Sequence, residues 1–175
     1  MSGLPKYNKV MKKFKLLDNL TGKIGAPQTD FSYEKKGDLL FFCFEAYESS
    51  LNSFSNIDND QLYKGDVVEI FLDLGDDFYY EFEVAPNGAT FVAKILNREI
   101  TFIENNFFKS KAYIKGDMYQ IYMMVDISKL KHNGKIKFNA FRIETKGIKS
   151  EYILQALSPT LCETFHVRDK LIDLN

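Results

Sequence analysis

The sequence predicts an all-β chain, an antiparallel β-sandwich of jelly-roll-like build with at most one short helical turn. Three observations carry that expectation. Strand-length apolar runs recur at regular spacing. Turn-forming pairs such as Asn87-Gly88 separate them. An aromatic content of 15%, with 16 Phe and 10 Tyr, suits a pleated, half-buried surface better than a helix. No repeat, low-complexity tract or Pro/Gly/Ser linker divides the 175 residues. Residues 1–175 therefore read as one domain, a length at which about 70% of the unfolded surface can be buried.

The elements follow in order. Residues 11–17 read as a first strand or arm, and 29–35 and 38–48 as a hairpin closed at Lys36-Gly37. Leu39–Tyr47 is apolar on both sides for most of its length, as a central strand covered on both faces would be. Residues 66–74 send Val68, Ile70 and Leu72 to one face, and Val67, Glu69, Phe71 and Asp73 to the other. In the next strand, 78–85, Tyr80, Phe82 and Val84 point inward, which leaves Tyr79, Glu81 and Glu83 on the opposite face with Glu69. Asn87-Gly88 supplies the positive φ angles of a tight hairpin into 89–96. Lys115-Gly116-Asp117 joins 111–114 to 118–125 in the same way. Asp126-Ile127-Ser128-Lys129-Leu130 breaks the alternation, and Asp126 or Ser128 can cap one helical turn. Strands at 136–144 and 152–157 complete the set.

Bulk charge excludes several roles. With 23 Lys plus Arg against 24 Asp plus Glu, a formal charge of -1 creates no field to gather nucleic acid or anionic lipid. Lys6, Lys9, Lys12, Lys13 and Lys15 read as a solvated arm rather than a polyanion patch. No run approaches the roughly 18–20 apolar residues that a bilayer-crossing helix needs. Lys15 and Asp18 interrupt the short apolar stretch that could pass for a secretion signal, and Cys43 and Cys162 read as reduced thiols. Together these point to a cytoplasmic location.

Catalytic signatures are missing too. Neither His132 nor His166 has the i, i+4 partner of a helical zinc site. There is no phosphate loop, dinucleotide fingerprint or nucleophile elbow. Acid pairs such as Asp76-Asp77 and Glu81/Glu83 do not establish the cleft-spanning separation a glycosidase requires. No catalytic residue and no obligatory cofactor are expected. Glu69 is the informative acid: a carboxylate among Val and Phe is costly to bury unless it meets donors. It is either the partner of Arg142 or a Lys across the sheet, or an acceptor for a ligand.

The stretch 62–73 belongs to an ordered set with 79–88, Phe138-Asn139-Ala140-Phe141-Arg142, Ala156-Leu157-Ser158-Pro159 and Thr164-Phe165-His166. From about Thr29 to the C-terminus this set resembles the family 9 carbohydrate-binding modules and their family 9-like, DOMON-like relatives. The resemblance implies a non-catalytic domain that binds a mono- or oligosaccharide weakly, by ring stacking on its C–H face and hydrogen bonds to its hydroxyls. Tyr63, six residues before Glu69, takes the place of the family's first stacking Trp, and Glu69 that of its acidic rim residue. Phe165 or His166 takes the place of the second Trp, for the chain has no Trp. The family's binding Arg would fall near 81–83, where none exists, so Arg142 would substitute, with Tyr79, Glu81 and His166 lining the rim. The resemblance also implies structural calcium, for which Asp58-Asn59-Asp60 and residues 73–77 offer loop oxygens without a full calcium loop. The expected partner is a carbohydrate, with a homodimer or an enzyme as further partners. The alternative is a structural or protein-interaction module that kept the scaffold and lost the sugar. A haem-binding relative, ligating through Met118, Met123, Met124 or His166, is a more remote reading.

Overall fold

Alternation along each strand decides which side chains meet the opposing sheet. The computed structural model describes residues 11–48, 50–145 and 152–174, so Lys6 and Lys9 lie outside the described residues. In the described residues the strands are β1 (Lys13–Lys15), β2 (Leu17–Asp18), β3 (Thr29–Lys36), β4 (Leu39–Tyr47), β5 (Val67–Asp73), β6 (Tyr79–Val84), β7 (Thr90–Leu96), β8 (Glu99–Phe102), β9 (Phe108–Lys115), β10 (Met118–Asp126), β11 (Lys137–Thr145), β12 (Tyr152–Ala156) and β13 (Ile172–Asp173). They form two antiparallel sheets, one ordered β1-β3-β4-β10-β9 and the other β2-β12-β11-β5-β6-β7-β8, with β13 paired to β11. The chain is the all-β sandwich that the alternation predicts.

The core between the sheets takes Val68, Ile70 and Leu72 from β5 and Tyr80, Phe82 and Val84 from β6. They pack with Phe31, Phe42 and Phe44 of the smaller sheet. Burying a side chain of this size stabilises by about 1.5–3 kcal/mol. A second apolar cluster lies on the outer face of the larger sheet, where Val67, Phe71, Phe91, Phe141 and Ile143 meet Phe165 and Leu171 of the C-terminal segment. The larger sheet is thus covered on both faces in its middle, and every residue of β5 and β6 is buried.

The expected hairpins at Gly37, Gly88 and Gly116 form, each glycine with positive φ. Residues 11–17 are not one strand: β1 pairs with β3 and β2 with β12, so the chain crosses between sheets at the buried Leu16. The helical turn expected after Asp126 is a 3-10 turn, Ile127–Lys129, whose Ser128 N donates to Asp126 Oδ1. Further 3-10 turns occur at Leu62–Lys64 and Arg168–Lys170. Strand β8 has no counterpart among the expected elements. Its four residues are exposed, and the turn before it is Asn97-Arg98, both at positive φ without a glycine to announce it.

Candidate functional site

Three carboxylates stand together on the outer face of the larger sheet. Glu69 on β5 lies directly opposite Glu83 on β6, and Glu81 sits one pleat along, opposite Phe71. Their exposures are only 2%, 2% and 5%, yet one oxygen from each lies within 4.8 Å of the other two. Glu81 Oε2 and Glu83 Oε2 receive no donor from any other described residue, and the two carboxyls hydrogen-bond each other. Among the described residues, no Lys or Arg forms an ion pair with any of the three. Burial holds all three carboxyls in the protonated form to higher pH than usual, and neighbouring acids add to the effect at Glu69 and Glu83. Burial pushes Glu81 up to about 7. Like charges this close cannot all ionise cheaply.

A cavity of about 700 Å³ opens above these acids. One wall carries Tyr63, which is 46% exposed, on the turn Leu62–Lys64. The next residue, Gly65, lets that turn close, because a Cβ there would collide with Phe54 N and Asn52 O. The buried Asp66 carboxylate then fastens the turn by accepting from Asn52 N at 2.5 Å, Thr145 N at 2.8 Å and Thr145 Oγ1 at 2.9 Å. Another wall carries Phe91, Ile100 and the 54% exposed Phe102, with the Phe91 and Phe102 rings edge to face at 5.4 Å.

Phe165 and His166 also line the cavity. Phe165 is stacked on Phe141 at 4.3 Å and is buried, so one of its faces is already covered. The His166 ring stacks on Phe71 at 5.1 Å, and its Nδ1 shares a 2.6 Å hydrogen bond with Tyr79 Oη. Burial lowers the pKa of His166, which favours the neutral ring. Tyr79 is buried beneath this contact and reaches the cavity only through His166.

Of the residues expected at the site, the structure brings together Tyr63, Glu69, Glu81, Phe165 and His166, with Tyr79 behind His166. Arg142 is elsewhere. Its partner across β5 is Val68, not Glu69, so it points between the sheets and is fully buried. There Nη1 donates to Thr29 Oγ1 at 2.8 Å, and Nη2 donates to Tyr47 O at 3.0 Å and Glu48 Oε2 at 3.1 Å. Glu144 Oε2 lies at 3.4 Å from Nη2. One position of parity separates the two faces of a strand, and it corrects both the rim role of Arg142 and its pairing with Glu69.

Glu83, Phe91, Ile100 and Phe102 were not among the expected site residues. Glu83 shares its parity with Glu81, so the period-two pattern of 79–84 already carried that signal. Phe102 could not be placed without β8. The loop acids expected to offer calcium ligands have hydrogen-bond partners within the chain. Asp58 Oδ1 accepts from Thr90 N at 2.8 Å and Thr90 Oγ1 at 3.1 Å, Asn59 Oδ1 from Val92 N at 3.0 Å, and Asp60 Oδ1 from Gln61 N at 2.8 Å. Asp73 accepts from Arg168 Nε at 2.7 Å and Gly75 N at 2.8 Å. These oxygens hold loops in place.

No protein-family model matches the chain, and no curated protein matches it in sequence. Among solved structures it is similar to a candidate carbohydrate-binding protein from Bacteroides uniformis, with a TM-score of 0.77 and 18% identity over 92% of this chain and 84% of that one. It is also similar to a family 9 carbohydrate-binding module from Caldicellulosiruptor kristjanssonii. In complex with glucose that module gives a TM-score of 0.61 and 18% identity, over 82% of this chain and 73% of the module. In complex with cellotriose the values are 0.61 and 18%, over 83% and 71%. The chain has a family 9-like fold, as the ordered resemblance implies.

Proposed function

We propose that the chain is a non-catalytic carbohydrate-binding domain that takes a mono- or oligosaccharide into the cavity above Glu69, Glu81 and Glu83. The observation that carries this reading is the pairing of three buried carboxyls on the floor, which meet no cation among the described residues, with exposed rings on the walls. A pyranose presents the complementary surfaces: hydroxyls that donate to carboxyl oxygens, and a C–H face that packs on an aromatic ring. Tyr63 and Phe102 supply the ring faces, and Phe165 supports them from its stack on Phe141. The fold is shared with a module solved with glucose and with cellotriose, which favours sugars as the ligand class.

Catalysis fits the floor poorly. The three acids project from adjacent strands of one sheet face, whereas glycosidase acids flank the scissile bond. With Tyr and Phe in place of larger rings, binding is weak, around millimolar, or about -4 kcal/mol. Calorimetric titration with glucose and cellotriose tests the reading. The parent chain should bind, and Glu69→Gln should lose binding while keeping its unfolding midpoint. A parent that binds neither sugar, or a Glu69→Gln variant that binds equally well, contradicts it.

A further inference from the structure

Six carboxylates are buried among the described residues: Asp66, Glu69, Asp73, Glu81, Glu83 and Glu144. Three of them have counterparts. Asp66 accepts from the backbone and hydroxyl of Thr145, Asp73 pairs with Arg168, and Glu144 lies beside the Arg142 guanidinium. Among the described residues Glu69, Glu81 and Glu83 meet no cation; Glu81 and Glu83 hydrogen-bond each other, and one oxygen of each, like Glu144 Oε2, is buried without a donor from elsewhere in the chain. This chain supplies buried acids with partners where their role is structural, so the contrast marks these three as a site whose counterpart comes from outside.

We propose that Glu69, Glu81 and Glu83 form a divalent-cation site of the calcium type on the floor of the cavity, where the ion also receives sugar hydroxyls. The second half of this proposal rests on the carbohydrate reading above; the ion site itself does not. Calcium is held by oxygen ligands at about 2.3–2.6 Å, so oxygens on opposite sides of one ion stand about 5 Å apart. The three glutamate oxygens, all within 4.8 Å of one another, are spaced so that small side-chain shifts bring them onto a single ion. The donor set is carboxylate only, since among the described residues no His nitrogen or Cys sulfur joins the three acids within that distance, and hard oxygen ligands select calcium over metals that prefer nitrogen or sulfur. All three acids rise from the rigid middle of the sheet, and the cavity lies above them. Calcium takes six to eight ligands. Positions on the open side are therefore left for water or for a pair of adjacent sugar hydroxyls.

The test uses the full chain, stripped with a chelator. Titration with calcium chloride, followed by calorimetry and by the luminescence of terbium(III) as a calcium substitute, should show one bound ion. Glu83→Gln should weaken that binding by about tenfold or more, because affinity follows the number of charged ligands. Glu81→Gln serves as a second variant if Glu83→Gln fails to fold. Asp76→Asn, in the loop after β5, should bind the ion as the parent does. Absence of ion binding, or binding that survives Glu83→Gln and falls in Asp76→Asn, overturns the proposal. Sugar titrations with calcium and with chelator separate the two readings. Sugar binding that needs calcium supports both, and equal sugar binding in chelator with no bound ion leaves the carbohydrate reading standing alone. An ion bound with no response to any sugar supports the cation site and contradicts the carbohydrate reading. Uptake of glucosamine by a chain that binds no calcium overturns the cation site in favour of an ammonium group.

Discussion

Arg142 and the glutamate cluster show how differently one sheet treats charge on its two faces. Removing Arg142 leaves Glu48 and Glu144 without their cation inside the sandwich. Arg142→Ala should therefore cost about 3–5 kcal/mol in urea denaturation, the usual loss on breaking a buried pair. A loss below about 1 kcal/mol would mean the network is solvated.

On the outer face the sign of the pH effect reverses from the familiar one. Glu81 keeps its proton up to about 7 when folded, against an ordinary 4.5, so in that window the native state holds a proton that the unfolded chain releases. Stability should fall as pH rises from 4.5 through about 7, and Glu81→Gln should flatten that slope. Glu144 shifts in the same direction, whereas His166 and Asp73 shift downward and lose stability as pH falls. The difference between parent and variant denaturation midpoints across pH isolates the cluster. Identical slopes would contradict it. The parity of Glu69 and Glu81 was legible in the sequence. That neither would meet a cation was not, because no local pattern reveals which residues an adjacent strand places opposite.

At the scale of elements, the unexpected strand does most to shape the cavity. Strand β8 turns back on β7 through Asn97-Arg98 and carries Phe102 to the wall. Phe102→Ala should weaken sugar binding several-fold while changing stability by no more than about 0.5 kcal/mol, as exposed positions usually do. Unchanged sugar affinity in a titration would remove Phe102 from the site. Hairpins announced by glycine were legible, since Lys36-Gly37, Asn87-Gly88 and Gly116 carry their backbone preference with them. The β7–β8 turn was not, because Asn97 and Arg98 take up positive φ with no glycine to mark it. Likewise, the division of 11–17 into two short strands follows from pairings with β3 and β12, and nothing within those residues encodes it.

The whole molecule is a sandwich with a second apolar layer. Because the larger sheet is covered on its outer face by the C-terminal segment, the cavity is walled by that segment as well as by β8. Phe165 belongs first to this layer: it is buried and stacked on Phe141. Phe165→Ala should cost about 3–5 kcal/mol, measured by denaturation, which distinguishes a packed ring from an exposed platform. A change near zero would return Phe165 to the role of a free stacking face. The sandwich, its central strand β4 and the two faces of β5 and β6 were readable from alternation alone. The second layer was less so, because an irregular segment has no periodicity to declare what it covers.

Heteronuclear NMR titration with cellotriose, resolving the backbone of β5 and β6 and the ring of Tyr63, tests the central claim most directly. The account predicts saturable shifts confined to Tyr63, Phe102 and the strands bearing Glu69, Glu81 and Glu83. Shifts gathered on the outer face of the five-stranded sheet, or none at concentrations well above a millimolar Kd, would contradict it.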